Sequence, residues 1–261
     1  MQDFNTYQSS DTSDEGAQAW AIPFADMMTL LLTLFILLLV ILKESEKFVD
    51  RQINLLLQET YEQLDEKIKN ENVSIERVTK GIQITLRGNL FQSMKATVNK
   101  NYIPIIQEIS KIIEDCRLFN VENSEQYSSL INFLEEGNQE LNVEIRCEGH
   151  TDDAILPPQS DYQNNWELSS ARSLKVVNIM NNASSISEKY FSYNGYGEFR
   201  PLINVSGIDD FQKKKQARAY NRRVEIYLDA FARPKTRSSE DEFLKMLDNK
   251  FNKQEELQLK N

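Results

Sequence analysis

The longest apolar run, Ala19 to Leu42 (AWAIPFADMMTLLLTLFILLLVIL), contains one ionisable residue, Asp26. About 24 residues at ~1.5 Å per residue cross a ~30 Å hydrocarbon core, so the pattern predicts a transmembrane helix over 19–42. If Asp26 merely capped a helix starting at Met27, about 16 residues and ~24 Å would remain, short of a bilayer. The span therefore needs Trp20 to Ala25 as well, with Trp20 as an interfacial anchor, Pro23 tolerated in the first turn, and Asp26 inside the membrane near one end. A charged side chain at that depth costs on the order of 3 kcal/mol and marks a bundle interior or an ion path. At about 100° per residue, Asp26, Thr29 and Thr33 share one polar stripe on an otherwise apolar helix. Such a stripe calls for other membrane helices, supplied by another subunit, because this chain has no second apolar span. The bland reading of the threonines is hydrogen bonding to their own helix carbonyls.

Beyond the apolar run the period changes. Lys43 to Lys69 reads as a charged helix with Phe48, Ile53, Leu56 and Leu57 on one side. Strand patterns follow at Val73–Val78 and Ile82–Leu86, joined through Thr79, Lys80 and Gly81 as a hairpin, so a folded domain begins near residue 72. Within it the pattern predicts a helix over Tyr102–Cys116 and a polar stretch over Asn120–Gln139 with room for a short helix. A strand at Val143–Cys147, a helix over Trp166–Asn181, a strand or turn near Phe191–Tyr196 and a last strand at Arg223–Leu228 complete it. Alternating strands and helices indicate an α+β fold, a two-layer α/β sandwich behind a transmembrane helix and a helical stem. The resulting division is an acidic tail over 1–18, a membrane helix over 19–42, a stem over 43–71, a domain over 72–230 and a charged tail over 231–261. An amphipathic helix is expected from Glu240 to Leu259.

At 261 residues there is room for one membrane helix and one domain of ordinary size. Met1 to Gln18 carries Asp3, Asp11, Asp14 and Glu15 without Lys or Arg, and no small-residue cleavage site follows the apolar run, so the helix is expected to stay as an anchor. Lys43, Lys47 and Arg51 follow the helix, and by the positive-inside rule that places the C-terminal part in the cytoplasm. The net charge of -10 argues against a nucleic-acid surface. The run Lys213-Lys214-Lys215 reads as a solvated loop. Cys116 and Cys147 fit no metal spacing and are read as buried free thiols, a single disulfide being the alternative. The only histidine, His150, excludes a histidine-rich metal site, and no triad partners accompany it. Glu148, His150 and Asp152 are read as sharing a strand face in a structural network, and the chain as no enzyme, with no cofactor and no metal.

Four motifs carry a resemblance: Glu148-Gly-His-Thr-Asp-Asp153, Asn165-Trp-Glu-Leu-Ser-Ser-Ala-Arg172, Gly195-Tyr-Gly-Glu-Phe-Arg-Pro201 and Asn221-Arg-Arg-Val-Glu-Ile226. In this order they resemble the OmpA-like peptidoglycan-binding domain. Phe24-Ala-Asp-Met-Met-Thr-Leu-Leu-Leu32 resembles the membrane segment of the MotB family of flagellar motor stator subunits.

The resemblance implies a homodimer inside a ring of MotA-like multispan subunits in the bacterial inner membrane, with the N-terminus cytoplasmic and the domain periplasmic, against the positive-inside reading. It implies that Asp26, beside Thr29 and Thr33, carries a proton or sodium ion. It also implies that Asp152 and Arg172 bind the diaminopimelate of peptidoglycan, an ammonium on the aspartate and a carboxylate on the arginine fork. Asn165 would shape that pocket and Arg222 would add a further arginine. Without the family, Asp152 reads as a loop-capping carboxylate and Arg172 as a surface ion pair. The segment Glu44 to Leu57 corresponds to the family's plug, with Phe48, Ile53 and Leu56 facing the membrane, or else to a dimeric stem. Phe91-Gln-Ser-Met-Lys-Ala96 departs from the glycine-containing turn expected there. The function expected is an ion-driven, wall-anchored stator powering flagellar rotation. The alternatives are the same unit in another system such as anti-phage defence, or a passive tether.

Overall fold

The computed structural model describes residues 12–92, 94–121 and 124–235. The expected helix over Glu240–Leu259 and most of the acidic tail lie outside them. The chain divides into two units, Met1–Asp50 and Arg51–Asn261, each taken by itself below.

The described part of the first unit is helical. It belongs to α1, Thr12–Lys67, which begins before the expected start at residue 19 and runs on past the expected stem boundary. Pro23 consequently lies inside the helix and not in its first turn, leaving one carbonyl without its N–H partner. The stretch from Trp20 is long and apolar enough to cross a membrane, and its apolar side chains from Trp20 to Leu42 are exposed. Trp20 packs edge-on against Phe24, with ring centroids 5.8 Å apart.

The second unit begins at Arg51, earlier than the boundary near 72 read from the sequence, because the end of α1 belongs to its core. Ile53, Leu56, Leu57, Thr60 and Leu64 recur at helical spacing and are all buried. Five strands then form one sheet in the order β1-β2-β5-β3-β4. β1 (Val73–Val78) and β2 (Gly81–Leu86) make the expected hairpin, with Val78 opposite Gly81. β2 pairs antiparallel with β5 (Arg223–Pro234), and β5 pairs antiparallel with β3 (Gln139–His150). β4 (Phe191–Gly195) runs parallel to β3, reached through α4 (Asn165–Ala183). The remaining helices are α2 (Ile103–Asp115), α3 (Ser128–Glu136) and α5 (Phe211–Asn221). The α+β sandwich expected from the pattern is the fold observed.

Two-residue periodicity assigns the faces. Val143, Ile145 and Cys147 on β3 stand opposite Ala230, Leu228 and Ile226 on β5, and Leu228, Ile226 and Val224 stand opposite Ile82, Ile84 and Leu86 on β2, giving an apolar face. Helices α2 and α4 supply Ile106, Ile109, Ile113, Val176 and Met180 to the core. α4 lies so close that a Cβ on Gly149 would stand 2.1 Å from the Ser169 carbonyl oxygen, and one on Gly195 2.2 Å from Ser170 Oγ. These two glycines of the sequence motifs therefore seat α4 against the ends of β3 and β4.

Two sequence expectations about these elements change. β3 extends to His150, well beyond Cys147, so Glu148 and His150 share its polar face while Asp152 falls past its end. The lysine run 213–215 lies on a helix, α5, whose N-cap Asp210 accepts a hydrogen bond from Lys213 N at 2.9 Å. Low apolar content hid this helix from periodicity. The polar stretch before β3 does hold a short helix, α3, after a 3-10 turn at Glu125–Tyr127. Cys116 and Cys147 are free and buried, and burial pushes the Cys147 thiol up to about 12.

Candidate ligand-binding site

Where β3 ends, the chain turns through Thr151, Asp152 and Asp153 across the start of α4. A pocket of about 280 Å³ opens there, and Asp152, Asn165, Arg172 and Arg222 all line it, along with Phe91 and Thr151. Residues far apart in sequence meet because the end of β3, the start of α4 and the end of α5 converge at this end of the sheet.

Asn164 caps α4 by accepting from Glu167 N at 3.0 Å, and Glu167 Oε2 accepts from Gln163 N at 2.7 Å, fixing the helix start. Asn165 then sends its Nδ2 to the carbonyls of Asp152 (3.4 Å) and Ala154 (3.1 Å), pinning the 152–154 loop to α4. Two turns along, Arg172 is only 3% exposed. Its Nε donates to the Lys95 carbonyl at 3.0 Å, and its guanidinium lies 4.9 Å from the centre of the Phe91 ring. No ion pair engages Arg172 among the described residues. Burial draws its pKa down to about 10, with the charge of Asp152 opposing. A buried guanidinium without a carboxylate is costly unless an anion completes it.

Asp152 is already partnered. Its Oδ2 accepts from Arg222 Nη1 at 2.6 Å, and its Oδ1 from Ala154 N at 3.3 Å. One turn before Arg222 on α5, Arg218 grips Asp153 with two hydrogen bonds of 2.7 and 2.9 Å, and that contact holds the Asp153 carboxyl below its usual range despite the opposing effect of burial. Sequence reasoning missed Arg218, Asp153, Phe91 and Thr151. The readable signal was the spacing of Arg218 and Arg222, one helical turn apart, facing the adjacent pair Asp152-Asp153. The turn that supplies Phe91 and Lys95 keeps the backbone a glycine would favour, with Met94 at φ 56.

The set offers one carboxylate and two guanidinium groups in a half-enclosed space. That suits a zwitterion whose ammonium approaches Asp152 and whose carboxylate meets Arg172.

On the polar face of the sheet sits a second cluster. Glu148, His150, Arg223 and Glu225 are buried, and Glu148, His150 and Glu225 bring ligand-type atoms within 4.8 Å of one another. Arginines already occupy these carboxylates: Arg146 bonds Glu148, and Arg223 Nε meets Glu225 Oε1 at 2.6 Å. Burial alone would raise the Glu225 pKa, but the hydrogen bond from Arg223 and the nearby imidazole of His150, its Nε2 3.5 Å away, hold it at about 2. Arg146 and Arg223 thus match the charges of Glu148 and Glu225, so these carboxylates are already neutralised within the protein.

In the first unit, Thr29 Oγ1 donates to the Asp26 carbonyl and Thr33 Oγ1 to that of Leu30, each at 2.8 Å. Phe48 is half-buried, whereas Ile53 and Leu56, expected to face a membrane, are buried within the second unit.

A membrane-length helix followed by this sandwich and edge pocket defines a membrane-anchored protein with an OmpA-like domain. Two family models agree: "Membrane MotB of proton-channel complex MotA/MotB" matches residues 7–54 and the OmpA family matches residues 90–215. Motility protein B of Bacillus subtilis is 27% identical over 177 residues, 66% of this chain, and the chain spans 56% of the length of that relative. The uncharacterized protein YtxE of the same organism is 24% identical over 240 residues, covering 86% of this chain and 94% of its own. A MotB-like protein from Desulfovibrio vulgaris shares the fold, with a TM-score of 0.50 at 17% identity over 71% of this chain and 99% of its own. The membrane segment is thus similar to the MotB family and the folded domain to the OmpA family.

Proposed function

We propose that this chain is the ion-carrying, wall-anchored subunit of a membrane motor that powers flagellar rotation, working as a homodimer with a MotA-like multispan partner. One observation carries the reading. A single chain joins a membrane-length helix, whose apolar run holds the lone carboxylate Asp26, to a domain pocket with an unpaired buried guanidinium beside a carboxylate. In this reading Asp26 alternates between neutral and charged forms as a proton or sodium ion passes, with Thr29 and Thr33 offering hydroxyl oxygens beside it. One charge moving through 100 mV releases about 2.3 kcal/mol, available for rotation only if the complex is held still. The domain holds it, with the diaminopimelate of peptidoglycan in the pocket of Asp152, Asn165, Arg172 and Arg222. It acts as an anchor in the periplasm and not as an enzyme.

The plug role falls on the segment around Phe48. Ile53 and Leu56 can take part only if they leave the domain core, so a plug deletion should stop before Arg51. The test is proton and sodium flux into vesicles holding this chain and its multispan partner, with residues 44–50 removed. Flux that Asp26→Asn abolishes is the expected result and identifies the ion. An assembled complex that passes neither ion would reduce the chain to a passive tether.

A further inference from the structure

The end of the sheet remote from the Asp152 pocket carries a second cleft, of about 440 Å³. β3 runs between the two, starting at Gln139 in this cleft and ending at His150 beside the pocket. Its 12 residues at ~3.3 Å each hold them roughly 35 Å apart. Register explains why a cleft opens here. β4 starts opposite Ile145, so residues 139–144 of β3 pair with β5 on one side and have no strand on the other. Leu141 and Val143 form the floor, and Ile131 of α3 stands on one side. Phe119 and Tyr190 also line it, their rings edge to face with centroids 5.6 Å apart. Phe119, Ile131, Leu141 and Tyr190 are only half-buried, so the cleft offers apolar surface to water. Charges ring it. Glu135 is paired with Lys235 at 3.5 Å and Glu140 with Arg233 at 2.7 Å, whereas Lys189 lies over the Tyr190 ring without a carboxylate among the described residues.

The path of the chain points to what covers this surface. Lys235, the last residue described, itself lines the cleft, and its N donates to the Asn138 carbonyl at 2.9 Å. The residues that follow therefore leave from the mouth of the cleft. In the sequence, Ser239-Glu240-Asp241-Glu242 has the pattern of a capping box with acidic residues in the first helical turn. Phe243, Leu244, Leu247 and Phe251 come next, and at about 100° per residue they fall on one face of a helix. Residues 236–239 span at most ~14 Å, which keeps that face at an effective concentration on the order of millimolar over the cleft, so weak intrinsic affinity suffices.

We propose that residues 240–251 dock as an amphipathic helix on this cleft of the same chain. The apolar stripe covers Ile131, Leu141 and the Phe119–Tyr190 pair, and the acidic start faces Lys189. The segment closes the end of the sandwich that β4 leaves open, and the Asp152 pocket at the other end stays accessible.

Amide hydrogen exchange tests this on the chain in nanodiscs, full-length and ending at Lys235. Exchange over residues 131–143 is expected to be about tenfold slower in the full chain. Phe243→Ser with Leu247→Ser, outside the domain core, should match the shortened chain, and Ile131→Glu should release residues 240–251 from protection. Equal exchange over 131–143 in the two chains overturns the docking. So does protection of 240–251 that persists in Ile131→Glu, because the segment is then covered elsewhere. If the shortened chain regains protection over 131–143 when reconstituted together with the full chain, the segment docks on a second copy and the intrachain assignment falls.

Discussion

Arg172 concentrates the chemistry of the domain. Phe91 covers one face of its guanidinium and the Lys95 carbonyl takes Nε, leaving the other nitrogens of the fork for a ligand in the pocket. A lysine has the charge but neither the planar fork nor the stacking face. Arg172→Lys should therefore weaken pelleting with purified peptidoglycan by on the order of 2 kcal/mol, about 30-fold, with the thermal midpoint of the domain nearly unchanged. Pelleting that survives the substitution would remove Arg172 from the anchor. The sequence supplied this residue only through its motif. Its burial, and the loop that covers it, are facts of packing between segments 77 positions apart.

The sheet behaves as one element with two chemistries. Along β3 and β5 every second residue is apolar and faces the helices, while the alternate residues build the network of Arg146, Glu148, His150, Arg223, Glu225, Tyr227 and Asp229. Tyr196 stacks on His150, and Arg200 lies over Tyr196. Burial lowers the His150 pKa below its ordinary value, aided by the charges of Arg223 and Arg200 and opposed by Glu225. Glu225 is lowered as well, to about 2. Both groups bind protons more readily in the unfolded chain, so stability falls as the pH falls. The His150 share is lost as the pH drops through about 6.5 toward its lower folded value, and the Glu225 share between about 4.5 and 2. The thermal midpoint should drop by a few degrees between pH 7 and 5, and His150→Gln should flatten that slope. A wild-type midpoint constant over the interval would contradict the assignment. Alternation in the sequence announced both strands. The network could not be read there, because register decides that Glu148 faces Glu225 and His150 faces Arg223.

For the whole molecule, the side of the membrane decides whether the domain can serve as a wall anchor. The positive-inside rule, counting Lys43, Lys47 and Arg51, sends the domain to the cytoplasm, whereas an anchor to the wall requires the periplasm. Cys116 and Cys147 are buried, so a cysteine placed at exposed Gln159 gives a clean probe. Gln159→Cys in intact cells with a permeabilised outer membrane should react with a membrane-impermeant maleimide. Labelling only after the inner membrane is broken would reverse the topology and end the anchoring proposal.

By itself the sequence determined the membrane-length helix, the lone Asp26 within it, the α+β class and most strands and helices. Each follows from local periodicity and from the cost of placing polar groups in hydrocarbon. It also named Asp152, Asn165, Arg172 and Arg222 through motifs. Tertiary structure alone decided that the end of α1 joins the domain core, since Ile53 and Leu56 have the same helical spacing whether they face lipid or protein. It alone made α5 a helix that holds the 152–153 loop through Arg218 and Arg222. Only the folded chain paired Asp152 with Arg222 while leaving Arg172 without an ion pair among the described residues, because ion pairing between distant segments depends on which side chains the converging elements bring within reach.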